Sequence, residues 1–119
     1  MKANELRIGN SVMLSEDGTI FTVDSIEEKG LVVQNEEETA WIELEEFEPI
    51  PITEEWLLKF GFESNAYQDR YENKAIHVER NKLRGYTELW IDRMPHIQHV
   101  HQLQNLYYAL TGEELTFER

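Results

Sequence analysis

The 119-residue chain contains no cysteine. That excludes disulfides, zinc–thiolate centres, iron–sulfur clusters and thiol nucleophiles. No apolar run approaches the roughly 18 residues that a helical membrane span requires. The opening MKANELRIGN lacks the apolar core of a secretory signal. A soluble, cytoplasmic protein is expected, with no membrane partner. There are no internal repeats and no low-complexity tract. Basic side chains are scarce: 11 Lys+Arg stand against 24 Asp+Glu, for a formal net charge of −13. The deficit is uneven. Residues 1–52 hold 3 basic and 13 acidic side chains, a balance of −10, whereas residues 53–119 hold 8 and 11, a balance of −3. Nucleic-acid binding draws much of its affinity from neutralising phosphates, so so acidic a chain makes that partner unfavourable. A basic protein surface fits the charge better.

Hydrophobic residues make up 40% of the chain and aromatics 11%, enough to build a core. The first half reads as short strands between turns. Leu6 and Ile8 alternate before Gly9-Asn10; Ser11–Leu14 and Ile20–Ile26 flank Asp17-Gly18, a strong hairpin signal. Leu31–Gln34 and Thr39–Phe47 follow, separated by an acidic turn. Strands at this spacing predict a small barrel or curled sheet. Pro49 and Pro51 stiffen the joint to the second half.

Thr53–Phe60 carries a complete helix specification. Thr53 is an N-cap, Glu54 and Glu55 suit the positive end of the helix dipole, and Ile52 is placed to meet Leu57. Gly61 suits a left-handed stop, with Phe62 folding back. Tyr67–Tyr71, Lys74–Glu79 and Tyr86–Ile91 read as three strands. Pro95 then opens a helix through Leu110, with Ile97, Val100, Leu103, Leu106, Tyr107 and Leu110 on the buried face and Gly112 as its stop. The predicted fold is α+β: a β-rich, barrel-like lobe over residues 1–48, then an α-β-β-β-α lobe over 53–119 with a three-stranded antiparallel meander. A β unit of about 50 residues is marginal alone, so the lobes are expected to pack as one unit.

Three stretches carry a resemblance: ELRIGN (Glu5–Asn10), PIPITEEWLLKFGF (Pro49–Phe62) and VHQLQNLYYALTGEEL (Val100–Leu115). Together they resemble a family of small uncharacterised proteins of Bacteroides-type bacteria, often associated with phage or mobile elements. The resemblance spans nearly the whole length. It implies a cytoplasmic bacterial setting and a mobile-element origin. It carries no activity, ligand or catalytic residue.

Four clusters are candidate sites. In a continuous strand, Trp41, Glu43, Glu45 and Phe47 share one face, opposite Ile42 and Leu44. Aromatics beside carboxylates suit a cationic or proline-rich peptide. The competing reading makes Trp41 and Phe47 cover for the joint. A second cluster, Arg80, Lys82 and Arg84 with Tyr86 and Trp90, can hold single-stranded nucleic acid. Interleaved Glu72, Glu79, Glu88 and Asp92 argue instead for a solvated hairpin tip.

The histidines form the third cluster. On a helix, His96 and His99 project about 60° apart and are weak metal candidates. His101 projects about 160° from His99, onto the wet face. The fourth is the acidic runs, Glu36–Glu38 and Glu43–Glu48. They lack the glycine of a calcium loop and the cleft of a glycosidase, and read as solvated edges. No Gly-x-Ser-x-Gly elbow and no phosphate-binding glycine loop occurs. The expectation is therefore a non-enzymatic interaction or accessory module without a cofactor, its acidic lobe facing a basic protein surface or peptide. The alternatives are a single-stranded nucleic-acid-associated protein using the Arg80–Arg84 loop, or an acidic DNA mimic that inhibits a DNA-binding enzyme.

Overall fold

A computed structural model describes residues 2–65, 70–72, 77–80, 89–91 and 94–115. The protein is α+β and divides into two units, Met1–Ile50 and Pro51–Arg119.

The first unit is one antiparallel sheet curled into a half-barrel. Its strands are β1 (Ser11–Leu14), β2 (Ile20–Ile26), β3 (Gly30–Gln34), β4 (Thr39–Glu43) and β5 (Phe47–Glu48), in the spatial order β4-β3-β2-β1-β5. The β1–β2 turn forms where Asp17-Gly18 places it. Gly18 has φ 76°, and its N–H donates to the Leu14 carbonyl at 2.9 Å. The Asp17 carboxylate accepts the Thr19 N–H at 2.9 Å. Hydrogen bonds from the Thr19 side chain, then from its backbone, hold the Asp17 carboxyl below the ordinary carboxylate range. A lowered folded pKa stabilises the fold at and above the ordinary carboxylate pKa, and the stabilisation is lost as pH falls through the lowered value. Asp17→Asn is therefore expected to flatten the acid limb of stability. Urea midpoints measured from neutral pH down to about pH 2 would show it; an unchanged limb would remove Asp17 from the account.

At the β3–β4 hairpin, Asn35 Oδ1 accepts the N–H groups of Glu37 and Glu38, each at 2.9 Å. Glu36–Glu38 thus projects from a turn closed by its own asparagine. A register shift between Val23 and Ser25 inserts a bulge into the β2–β3 pair, which raises local twist and helps the sheet curl. Period-two alternation turns Val12, Phe21, Val23, Leu31 and Val33 inward, joined by Leu6 and Phe47. Leu14, Ile42 and Leu44 pack against this core.

The predicted fourth strand, Thr39–Phe47, is interrupted. β4 stops at Glu43, Leu44–Glu46 is a single 3-10 turn, and β5 starts at Phe47 and pairs with β1. The turn breaks the two-residue period. Phe47 is 3% exposed, in the core.

The second unit begins with helix α1 (Glu54–Lys59), and its ends follow the local code. Thr53 Oγ1 accepts the Trp56 N–H at 3.3 Å, and Ile52 and Leu57 are both buried. Gly61 has φ 87°; its N–H donates to Leu58, and the Phe62 N–H donates to Leu57, both at 3.0 Å. That pair of bonds is the Schellman arrangement.

A meander follows, made of β6 (Glu63–Asn65), β7 (Arg70–Glu72), β8 (His77–Arg80), β9 (Leu89–Ile91) and β10 (Met94–Ile97), paired in that order. The three-strand expectation gives way to five described strands. The last of them takes the place predicted for the start of the helix. Pairing of Met94 with Ile91 and of Ile97 with Leu89 draws Met94–Ile97 into the sheet.

Helix α2 (Val100–Thr111) starts only after His99. Gln102 Oε1 accepts the N–H groups of both Gln98 and His99 at 3.0 Å, which satisfies donors at the helix start. Val100 and Leu103 are buried, and Leu106 and Tyr107 are half-buried. Leu110 is 56% exposed rather than buried as its spacing predicted. Gly112, with φ 72°, ends the helix as expected. Among the described residues, no helix is long and apolar enough to cross a membrane.

Candidate interaction site

The site starts from a missing side chain. Gly30 opens β3 opposite Glu43, and the next pairs of the ladder are Leu31 with Ile42 and Val32 with Trp41. Trp41 is therefore the diagonal neighbour of Gly30 on one face of the sheet. A Cβ at Gly30 would stand 2.6 Å from Trp41 Cζ2, 2.7 Å from Cε2 and 2.6 Å from the Ile42 carbonyl oxygen. The indole occupies the space that any other residue at position 30 would fill. This seats a large ring on the solvent side of a strand, and half of it remains exposed (50%).

Around the ring lies an open concavity of about 600 Å³, lined by Lys29, Trp41, Glu43, Leu44 and Glu45. Local rules place each wall. Glu43 follows Trp41 by two residues on the same strand face. The 3-10 turn then carries Leu44 and Glu45, anchored by the Leu44 N–H donating to the Lys29 carbonyl at 3.0 Å. Glu43, Glu45 and Glu46 are exposed, as are Glu27 and Glu28 in the turn that also bears Lys29. Lys29 offsets part of this charge at the concavity itself, while the balance over residues 1–52 stays at −10.

Trp41, Glu43 and Glu45 of the expected face thus come together, but Phe47 does not join them. The 3-10 turn rotates it into the core, so Phe47 is withdrawn as a binding residue. Lys29, Leu44 and Gly30 were not anticipated. A glycine just before the predicted third strand and a tryptophan 11 positions on, in the predicted fourth, is the available signal, but using it requires the register.

The basic cluster is placed only in part. Arg80 ends β8, and Trp90 lies in β9 with its backbone paired to Glu79. Lys82, Arg84 and Tyr86 lie outside the described residues.

The histidine geometry differs from the helical expectation. His96 lies in β10, and His99 is the extended N-cap of α2 with φ −129°. The two are not on one helix, which removes the 60° relation that made them metal candidates. His101, expected on the wet face, is 2% exposed. Because α2 starts at Val100, the helix turns His101 and Gln104 inward together with Val100 and Leu103. The extended His99 then brings its ring to 5.8 Å from that of His101, stacked at 13°. Among the described residues, no group of three or more His, Asp or Glu side chains could hold a metal ion.

No protein-family model matches the chain, and no curated protein or solved structure shows significant similarity to it.

Proposed function

We propose that the protein is a non-enzymatic interaction module whose acidic N-terminal unit engages a basic surface or peptide of another protein. Trp41 is the aromatic anchor, and Glu43 and Glu45 are the charged rim. The observation that carries this reading is the half-exposed indole seated on Gly30, inside a concavity walled by two carboxylates. A tryptophan that is rigidly backed and open on one face is the side chain most enriched at binding hot spots. Its π-face attracts Lys and Arg, and nearby carboxylates reinforce that preference. The charge asymmetry supports the same partner class, and it weighs against a nucleic-acid backbone. The resemblance of the sequence to proteins associated with mobile elements supports an accessory role in such an element.

The test is affinity capture from a bacterial lysate with the full chain and with Trp41→Ala, each eluted by a salt step. The wild type is expected to hold a basic protein at low salt and release it as screening increases. Trp41→Ala is expected to retain less than about a tenth of it, the loss of one hot-spot side chain. Equal capture by both chains would overturn Trp41 as the anchor. Captured protein that is neither basic nor salt-sensitive would overturn the electrostatic reading.

A further inference from the structure

β4 is an edge strand, and the ladder shows which of its backbone groups face outward. In an antiparallel pair, residues opposite each other alternate between exchanging hydrogen bonds and exchanging none. The Leu44 N–H donates to Lys29 and the Asn35 N–H donates to Glu38, so those two pairs are bonded. Counting from either end of the β3–β4 register, Ile42 and Ala40 bond to β3, whereas Thr39, Trp41 and Glu43 do not. Their N–H groups and the C=O groups of Thr39 and Trp41 point away from the sheet, while the Glu43 carbonyl, at the N-cap of the 3-10 turn, is taken by that turn. The same three residues carry the exposed side chains of the strand. Backbone hydrogen-bonding capacity, the indole face and the Glu43 carboxylate are therefore presented together along one edge.

An edge of this kind is a template for another strand, and charge decides which one. A second copy of this chain would bring its own −13 and its own Glu43, so like charges oppose self-pairing. We propose that the occupant is an extended segment of a partner protein with Lys or Arg at alternate positions, added antiparallel to β4. The inference rests on the interaction reading above and specifies how the partner is held. In that register, a cationic residue opposite Trp41 exchanges two backbone hydrogen bonds with it. Its side chain then lies on the Trp41 face, and the next cationic residue along the segment meets Glu43 or Thr39. One residue of the partner satisfies both the backbone and the charge.

Glu43 supplies an internal test. Its φ is −59°, which proline adopts without strain, and its N–H is one of the outward donors. Glu43→Pro removes that donor and leaves the bonds to β3; Glu43→Gln removes only the charge. The probe is an acetylated octapeptide alternating lysine with threonine, titrated calorimetrically into the full chain. A second peptide has its lysine amides N-methylated, which keeps the charge but blocks strand pairing.

Methylation is expected to weaken binding about tenfold or more, and Glu43→Pro about tenfold relative to Glu43→Gln. The methylated peptide carries the test if Glu43→Pro fails to fold. Equal binding of both peptides would overturn strand addition while leaving the Trp41 anchor intact. Binding of neither would overturn this inference, and capture with Trp41→Ala would then judge the broader reading separately. A dimer of the chain alone in analytical ultracentrifugation, with Trp41 and Glu43 protected from hydrogen exchange, would overturn the choice of occupant.

Discussion

Phe47→Ala is expected to destabilise the N-terminal unit by about 3–5 kcal/mol, the range for truncating a buried phenylalanine. Phe47 is 3% exposed and belongs to the cluster that contains Val12, Phe21, Val23, Leu31 and Val33. It also starts β5, where it pairs with Leu14, so its loss leaves a cavity and loosens the strand bordering β1. Domains are typically stable by about 5–15 kcal/mol, and small ones lie at the low end. The unit is therefore expected to be largely unfolded in Phe47→Ala, or to melt well below the wild type. Trp41→Ala should cost about 1 kcal/mol, because half of that side chain is already in water. Urea denaturation followed by circular dichroism compares the two directly. If Trp41→Ala cost as much as Phe47→Ala, the assignment of one aromatic to the core and the other to the surface would be wrong.

The second large effect is at Gly30. Gly30→Ala places a methyl 2.6 Å from the Ile42 carbonyl oxygen and 2.6 Å from the Trp41 ring. The oxygen belongs to the backbone of β4 and the ring is broad, so both the strand and the indole must move. Overpacking of this kind costs about 1–3 kcal/mol. It should also displace the ring from the concavity. Gly30→Ala is therefore expected to lose partner binding although position 30 contributes no side chain to it. Combined with Trp41→Ala, the stability cost should be less than additive, because the ring half of the clash is already gone. Thermal melts of the two single variants and the double variant measure this coupling. Additive costs would mean that the indole does not rest on Gly30.

Much of this architecture is legible in sequence because it is written in short-range chemistry. Thr53 at the cap, Gly61 at the stop and Phe62 after it define α1 within ten residues, and Asp17-Gly18 defines the first hairpin in two. Each signal acts over a few positions, where backbone sterics and one hydrogen bond decide the outcome.

The differences arise where distant pairing decides. Pro95 is an acceptable helix start, and the apolar spacing after it favours a helix. Pairing with β9 takes Met94–Ile97 into the sheet instead, and Gln102 caps the helix at His99. That shift places His101 in the interior and stacks it on His99, which helical projection from Pro95 cannot give. Phe47 leaves its expected face for a similar reason. Leu44–Glu46 continues the apolar–acidic alternation of the strand before it, and only the pairing of β5 with β1 shows the turn. The candidate site is legible at Trp41 and Glu43, which share a strand period; Glu45 reaches the same concavity through the 3-10 turn rather than through strand alternation. Gly30, Lys29 and Leu44 enter through cross-strand register, which depends on two segments at once.

A cationic partner held at the Trp41 concavity, rather than spread over an acidic surface, leaves a local footprint on the chain. The most direct measurement is a nitrogen–proton correlation spectrum of the labelled full chain, titrated with the alternating lysine–threonine octapeptide. The Trp41 indole N–H and the amides of Thr39, Trp41, Glu43 and Glu45 are expected to move together and saturate, while the Trp56 indole stays in place. Small shifts distributed over all the exposed glutamates, with the Trp41 indole unmoved, would contradict a local footprint.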